Sequence, residues 1–297
     1  MFGRRPDGRR VKGIDPVMQI TPYVMPMRCD AQVFLKHRVD MERLSRYIRR
    51  QRAEKGEQLT YMQIILAAYV RAISANPEIN RFIMNKQLFA RNNCSAAFTI
   101  LRDPSDADKG EAVVKIKFDL SDTLYDVRDR MNAAVAANRG ENAGSSFVDK
   151  LLGFLFAVPG LATVVVGLVK LLDRYGLAPG VLMEELPFYV GMYITNTASI
   201  GLHDVNHHIY NWGNVGLFFG MGITEKVAVE EDGEIRMKRF LPIGITADER
   251  VCSSAHHARF FNDMRNYLEH PELLETAPEK MRFDGGLEYH EPKLKKE

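Results

Sequence analysis

Cysteine is scarce in this 297-residue chain: there are three, Cys29, Cys94 and Cys252, an odd number with no CxxC spacing. That excludes a disulfide framework and offers no zinc pattern, so a reducing, cytoplasmic setting without a metal site is expected. An excess of one charge is missing too. With 40 basic and 38 acidic residues the formal net charge is +2, which supplies no bulk attraction to nucleic acid. Tryptophan occurs once, at Trp212, and no internal repeat, low-complexity tract or Gly/Ser-rich linker is present. The basic N-terminus MFGRRPDGRRVKG is followed by no apolar core, which excludes a secretory signal. Residues 1–29 read as a solvated arm, with contact to an acidic partner or membrane surface as the alternative.

Long apolar runs are absent with one exception, LLGFLFAVPGLATVVVGLV, Leu151 to Val169, which contains no charged residue. Its length reaches the roughly 18 residues at which a membrane span becomes a candidate. Pro159-Gly160 splits it, however, and each half alone is too short to span. The readings are an apolar helical hairpin over residues 147–176, buried or in a subunit contact, or a hairpin on a membrane surface, or a span.

What is present is an ordinary globular composition, 46% hydrophobic and 26% charged, sufficient for one large core. DAQVFLKHRVD alternates apolar residues as a strand does, and Asp40 then caps a short helix. Thr60 and Gln63 form a capping box before MQIILAAYVRAISANP, a helix stopped near Pro77. Asn85-Lys86 predicts a hairpin turn, CSAAFTIL and AVVKIKFDL predict strands, and an amphipathic helix is expected from Thr123 to Asn138. GENAGSS is a loop. PFYVGMYITNT, NVGLFFGMGI and RMKRFLPIGITAD are strands, the last entered through a turn at EEDGEI. The final helix runs from about Ser253 to His270. Strands and helices without regular βαβ alternation point to an α+β fold with a mixed sheet.

In this order the pieces resemble the catalytic domain of dihydrolipoyl acyltransferases, the core subunits of 2-oxoacid dehydrogenase complexes, whose fold chloramphenicol acetyltransferase shares. YMQIILAAYVRAISANPEINRF is similar to that family's helix ending in hPelN, and MYITNTASIG to its FTISNLGxxG. NVGLFFGMG is similar to qaailgvG, and DERVCSSAHHARFFNDMRNYLEHPELL to DHRxxDGaxaarFlxxlxxlLenPelL. The resemblance implies a domain over residues 30–275 followed by a tail at 276–297. It also implies a homotrimer with active sites between subunits, and coenzyme A as carrier of the acyl group. In such a family a histidine takes the proton from the attacking thiol or hydroxyl. A Ser or Thr hydroxyl from the neighbouring subunit donates to the oxyanion. With no lipoyl-bearing domain in the chain, the expected layout resembles that of the free-standing acetyltransferases.

Carried across by position, Thr195 stands at the oxyanion hydroxyl and Asn196 beside it. Asp248 and Arg250 keep two letters of the motif. Glu249 occupies the histidine position, Ser253 that of the aspartate and Ser254 that of the glycine. A carboxyl titrating near ~4.3 is a poor base for a thiol near ~8.5, and pairing of Glu249 with a nearby Lys or Arg is the alternative to catalysis. His256 and His257 read as helix-capping or surface residues, with a substitute base as the alternative. HDVNHHIYNWG carries His203, His207, His208, Tyr210 and Trp212. The segment reads as a polar loop packed at a subunit interface, and as the alternative His207 and His208, opposed if it is a strand, are candidate substrate contacts alongside Asn196 and Arg250, or a substitute base. Cys252 reads as a buried structural thiol.

Two functions follow as expectations. One is an acyltransferase taking an acyl group from acyl-coenzyme A to an unknown small-molecule acceptor, with Glu249 and Thr195 as catalytic residues. The other is an inactive relative acting as a trimeric binding or assembly module. Either is cytoplasmic, with peripheral membrane contact through 151–169 as a further alternative.

Overall fold

The computed structural model describes residues 4–102, 110–139 and 153–294. The loop expected at GENAGSS and the first residues of the apolar hairpin fall outside these.

A seven-stranded mixed sheet forms the centre. It comprises β3 (Gln32–Asp40), β6 (Cys94–Leu101), β7 (Glu111–Phe118), β8 (Met192–Asn196), β9 (Leu217–Met221), β10 (Glu225–Glu231) and β11 (Glu234–Asp248). The order β10-β11-β9-β8-β6-β7 has β3 along the other edge of β11, and β8 runs parallel to both β6 and β9. Alternate residues of β11, namely Leu241, Ile243, Ile245 and Ala247, face the helices α2 (Met41–Lys55), α3 (Tyr61–Ala75) and α7 (Ser254–Glu269) across the main core. Twelve of the fifteen residues of α3 are buried, which is why its sequence is apolar all round. The Thr60–Gln63 capping box forms, and α2, expected to be short, runs for 15 residues. Helix α4 (Leu124–Ala137) starts at a second capping box, Thr123 with Asp126.

A small sheet joins β1 (Arg4–Arg5) and β2 (Gly8–Arg10) to the hairpin β4 (Arg81–Met84) and β5 (Gln87–Arg91). Asn85 and Lys86 make the expected two-residue turn, both at positive φ. The N-terminal segment is not a solvated arm. Arg5 is 5% exposed, with Nε 2.8 Å from Asp7 and Nη2 2.6 Å from Asp173. An ion so buried persists only with partners supplied on more than one side. Helix α1 (Pro16–Val24) follows. At the other terminus Met281, Phe283 and Tyr289 pack against the core rather than trailing from it.

Of the apolar hairpin, residues 153–157 are helical and helix α5 spans Leu161–Arg174, with Gly160 in the left-handed region at the bend. In the protomer Asp173 is the one buried residue of α5, and Leu155 in the preceding helical turn is buried as well. A short helix α6 (Gly180–Glu185) leads back to β8.

On the face away from the helices, residues 203–206 lie flat across β9 and β11. Glycine makes this possible. A Cβ on Gly220 would sit 2.4 Å from the Val205 carbonyl oxygen, and one on Gly244 2.6 Å from it. Gly244→Ala is expected to displace the segment and cost about 1–3 kcal/mol in urea unfolding. Unchanged stability would mean that the segment is not seated on the sheet in solution.

Candidate functional site

Strand β11 ends at Asp248 and α7 begins at Ser254, so the motif lies in the turn between them. The turn is set by a buried ion pair. The Asp248 carboxylate accepts from Arg250 Nε at 2.8 Å, Nη2 at 2.7 Å and the Arg250 backbone N–H at 3.1 Å. Arg250 Nη1 donates to the Met25 carbonyl at 2.8 Å. A second guanidinium, Arg28, comes within 3.5 Å of Asp248 and donates to the carbonyls of Tyr210 and Ile83. Burial pulls Arg28 down to about 10, against the opposing attraction of Asp248. Arg250, expected at the substrate, is 2% exposed in the protomer and there holds the turn. Arg28 escaped the sequence reading because nothing in its neighbourhood marks it. It lies in the 1–29 segment, and only the fold brings it to the motif.

Glu249 points outward from this rigid turn. Its backbone N–H donates to the Ala31 carbonyl at 3.0 Å, and its carboxylate is exposed. Among the described residues no Lys or Arg pairs with it, so the simple ion-pair alternative does not hold in the protomer.

Thr195, near the end of β8, shares the face that carries the 203–206 segment with its register partner Gly220, while Asn196, paired with Met221, is on the helix side. The Thr195 hydroxyl has no hydrogen-bond partner among the described residues, whereas Thr197 Oγ1 donates to the Met221 carbonyl at 2.8 Å. The register separates Thr195 from Glu249. Thr195 pairs with Gly220, which pairs with Gly244, four residues before Asp248. Four strand residues and two strand spacings put the Thr195 and Asp248 backbones roughly 16 Å apart. One protomer therefore does not bring its own Thr195 to its own Glu249.

The histidine-rich segment is irregular backbone, not a strand, so His207 and His208 are not opposed. The His207 ring stacks on Phe218 at 4.1 Å between centroids and on His208 at 4.7 Å, with Tyr210 edge-on to both. Trp212 Nε1 donates to the Tyr189 hydroxyl. This aromatic stack covers the sheet face beside β9. Among the described residues no group of three His, Cys, Asp or Glu side chains is placed to hold a metal ion.

His256 and His257 lie in the first turn of α7, whose N-cap Ser253 makes no side-chain capping bond. Ser253 Oγ and His256 Nδ1 are 2.7 Å apart, and His257 Nδ1 lies 3.2 Å from the Ser253 carbonyl and 3.4 Å from Cys252 Sγ. Burial lowers the His257 pKa, which keeps the imidazole neutral. Its Nε2 is enclosed within the protein with no hydrogen-bond partner among the described residues. Among the described residues neither histidine hydrogen-bonds Glu249, although the Glu249 charge acts on His257 against the effect of burial. Cys252 is 3% exposed, and burial pushes its thiol up to about 12. Thiolate is the reactive form, so an alkylating reagent at pH 8 should label exposed Cys29 in the native protein, and Cys94 and Cys252 only after denaturation. Native labelling of Cys252 would contradict the burial.

Comparison with known proteins places the resemblance on these same residues. A family model described as 2-oxoacid dehydrogenases acyltransferase (catalytic domain) matches residues 190–276, which contain Thr195 and the whole motif turn. The dihydrolipoyllysine-residue acetyltransferase component of the acetoin cleaving system of Bacillus subtilis (strain 168) is 22% identical over 219 residues, 74% of this chain and 44% of that protein. This chain thus matches less than half the length of that relative. Among solved structures, a probable dihydrolipoamide acetyltransferase from Listeria monocytogenes 4b F2365 superposes with a TM-score of 0.56 at 14% identity, over 88% of this chain and 94% of that one. The cubic core of the pyruvate dehydrogenase multienzyme complex gives 0.50 at 15% over 90% and 94%. A chloramphenicol acetyltransferase gives 0.50 at 12% over 88% and 99%. The fold is the chloramphenicol acetyltransferase-like α+β fold, and the chain is related to the acyltransferase catalytic domain.

Proposed function

We propose that this protein is an acyltransferase that moves an acyl group from acyl-coenzyme A to a small nucleophilic acceptor at a site shared between two copies of the chain. The observation that carries this reading is the pair of uncommitted groups at the motif positions. An exposed, unpaired Glu249 carboxylate sits on a turn fixed by buried charges, and a free Thr195 hydroxyl sits on another face of the protomer. Because they lie far apart within one protomer, a second copy must bring its Thr195 to Glu249, and a closed ring of three accommodates that arrangement. Glu249 would accept the proton of the attacking group. Thr195 of the neighbouring copy would donate to the oxyanion of the tetrahedral intermediate, whose charge is what a preorganised donor stabilises. Packing of a second copy over Glu249 would remove water from the carboxyl and make it a stronger base. Asn196 and the His207–His208 stack would line the approach.

The test is release of free thiol from acetyl-coenzyme A with a small dithiol acceptor. Glu249→Gln should lower the rate about tenfold, less than the roughly hundredfold at which general-base effects typically begin because a carboxylate is a weak base for a thiol, and Thr195→Ala on the order of a hundredfold. Mixed oligomers of the two variants should recover part of the activity, since some interfaces then hold both intact groups. Absence of recovery with both variants folded would rule out a shared site.

A second reading rests on the loss of the motif imidazole and of the acid at Ser253. On that reading the chain is a non-catalytic trimeric binding module. Coenzyme A binding without thiol release, unaltered by Glu249→Gln, would select it.

A further inference from the structure

Helix α5 presents its apolar side to solvent. Val164, Leu168, Leu171 and Tyr175 follow one another at helical spacing and are 69, 54, 52 and 49% exposed. The preceding helical turn adds Phe154 and Phe156, also exposed. The last turn of α5 is anchored through Leu172 beside Met183 and Tyr189 and through the Asp173–Arg5 pair. An apolar stripe facing water needs a cover. Among the described residues no helix is long and apolar enough to cross a membrane, so spanning is not the cover that these residues provide.

Beside the C-terminal end of α5 opens a cleft of about 440 Å³. Lys86, Lys170 and Arg174 line it and are exposed, with Arg28 and Arg250 deeper. Among the described residues its one carboxylate is Asp173, already engaged by Arg5 and by the Tyr189 hydroxyl at 2.6 Å. None of Lys86, Lys170 and Arg174 has a carboxylate within ion-pair distance among the described residues. Each is nevertheless positioned. Lys86 Nζ stands 4.5 Å from the Tyr23 ring centre, Lys170 Nζ 5.2 Å from that of Trp212, and Arg174 Nε donates to Asn85 Oδ1 at 3.0 Å. The positive-φ turn at Asn85-Lys86 carries a conformational cost for non-glycine residues, and it brings Lys86 to this cleft.

We propose that this face docks on an anionic phospholipid surface, the headgroup phosphate entering the cleft between Lys86, Lys170 and Arg174 while the apolar stripe of α5 lies at the acyl boundary. A phospholipid supplies from one molecule what both halves of the face lack, a phosphate for three unpaired cations and hydrocarbon for the stripe beside them. A second copy of the chain would have to bring carboxylates and an apolar cover in the same spacing. The proposal does not rest on the acyl-transfer reading.

Flotation of the full chain with vesicles tests it. Binding is expected to phosphatidylcholine vesicles containing phosphatidylglycerol, not to phosphatidylcholine alone, and to weaken as salt is raised. Each neutralised cation costs about fivefold, so the combined Lys86→Gln, Lys170→Gln, Arg174→Gln variant should bind about a hundredfold more weakly at unchanged thermal unfolding. Leu168→Gln with Leu171→Gln should cause a loss of tenfold or more by the transfer cost of two leucines. Equal binding by the charge variant would overturn the proposal. So would failure of the wild type to float. In that case inorganic phosphate binding by calorimetry would identify a free-anion site, and an oligomer that separates with Leu168→Gln would identify a second copy as the cover.

Discussion

Replacing Glu249 by histidine is expected to raise thiol release from acetyl-coenzyme A by about a hundredfold, the lower range of what a positioned general base supplies. The substitution fits the local geometry. The residue is exposed, its one hydrogen bond among the described residues is the backbone N–H to Ala31, and neither depends on the side chain. The chemical reason is proton affinity. An imidazole in water titrates near ~6.5 and a carboxyl near ~4.3, so imidazole holds the proton of a thiol better by about two pKa units. The pH profile provides a signature that a structural effect would not move. The histidine must be neutral to act, so the variant's rate should climb as pH rises through its imidazole pKa and level off above it. A variant that folds, binds coenzyme A and gains nothing would show that the turn no longer faces a reacting group, and the binding-module reading would then replace catalysis.

Removing the anion beneath the same turn should have the largest effect on stability. Asp248→Ala is expected to cost about 3–5 kcal/mol, because it leaves two buried guanidiniums, Arg28 and Arg250, facing each other without a counter-ion. At about 2–4 °C per kcal/mol for a chain approaching this size, the melting temperature should fall on the order of 10 °C. Arg28 makes the prediction specific. Burial already lowers its pKa, and loss of Asp248 removes the attraction that opposes that lowering. Calorimetry of Asp248→Ala beside Glu249→Gln separates the roles of adjacent residues: the first should melt early, the second near the wild type. Equal melting would mean that the pair is solvated in solution and does not hold the turn.

The sequence by itself determined the local elements and the family outline. Two capping boxes, the Asn85-Lys86 turn, the helix halted before Pro77 and the strand at Cys94–Leu101 depend on interactions within a few residues, and those are visible as spacing. The motif letters of the turn were legible for the same reason, as were the substitutions at Glu249, Ser253 and Ser254. Tertiary structure decided the rest, because it depends on which distant groups share a low-dielectric space. Arg5 reads as part of a solvated basic arm until Asp173 is brought against it, and Arg28 reads as unremarkable until it meets Asp248. The His207–His208 pair looked like strand neighbours, but glycines at 220 and 244 let the preceding residues lie on the sheet, and the rings stack beyond them. The apolar hairpin looked fit for burial by composition alone. Only packing shows that α5 keeps its apolar stripe outside, beside three cations without carboxylates, since burial is a property of neighbours and not of the residue.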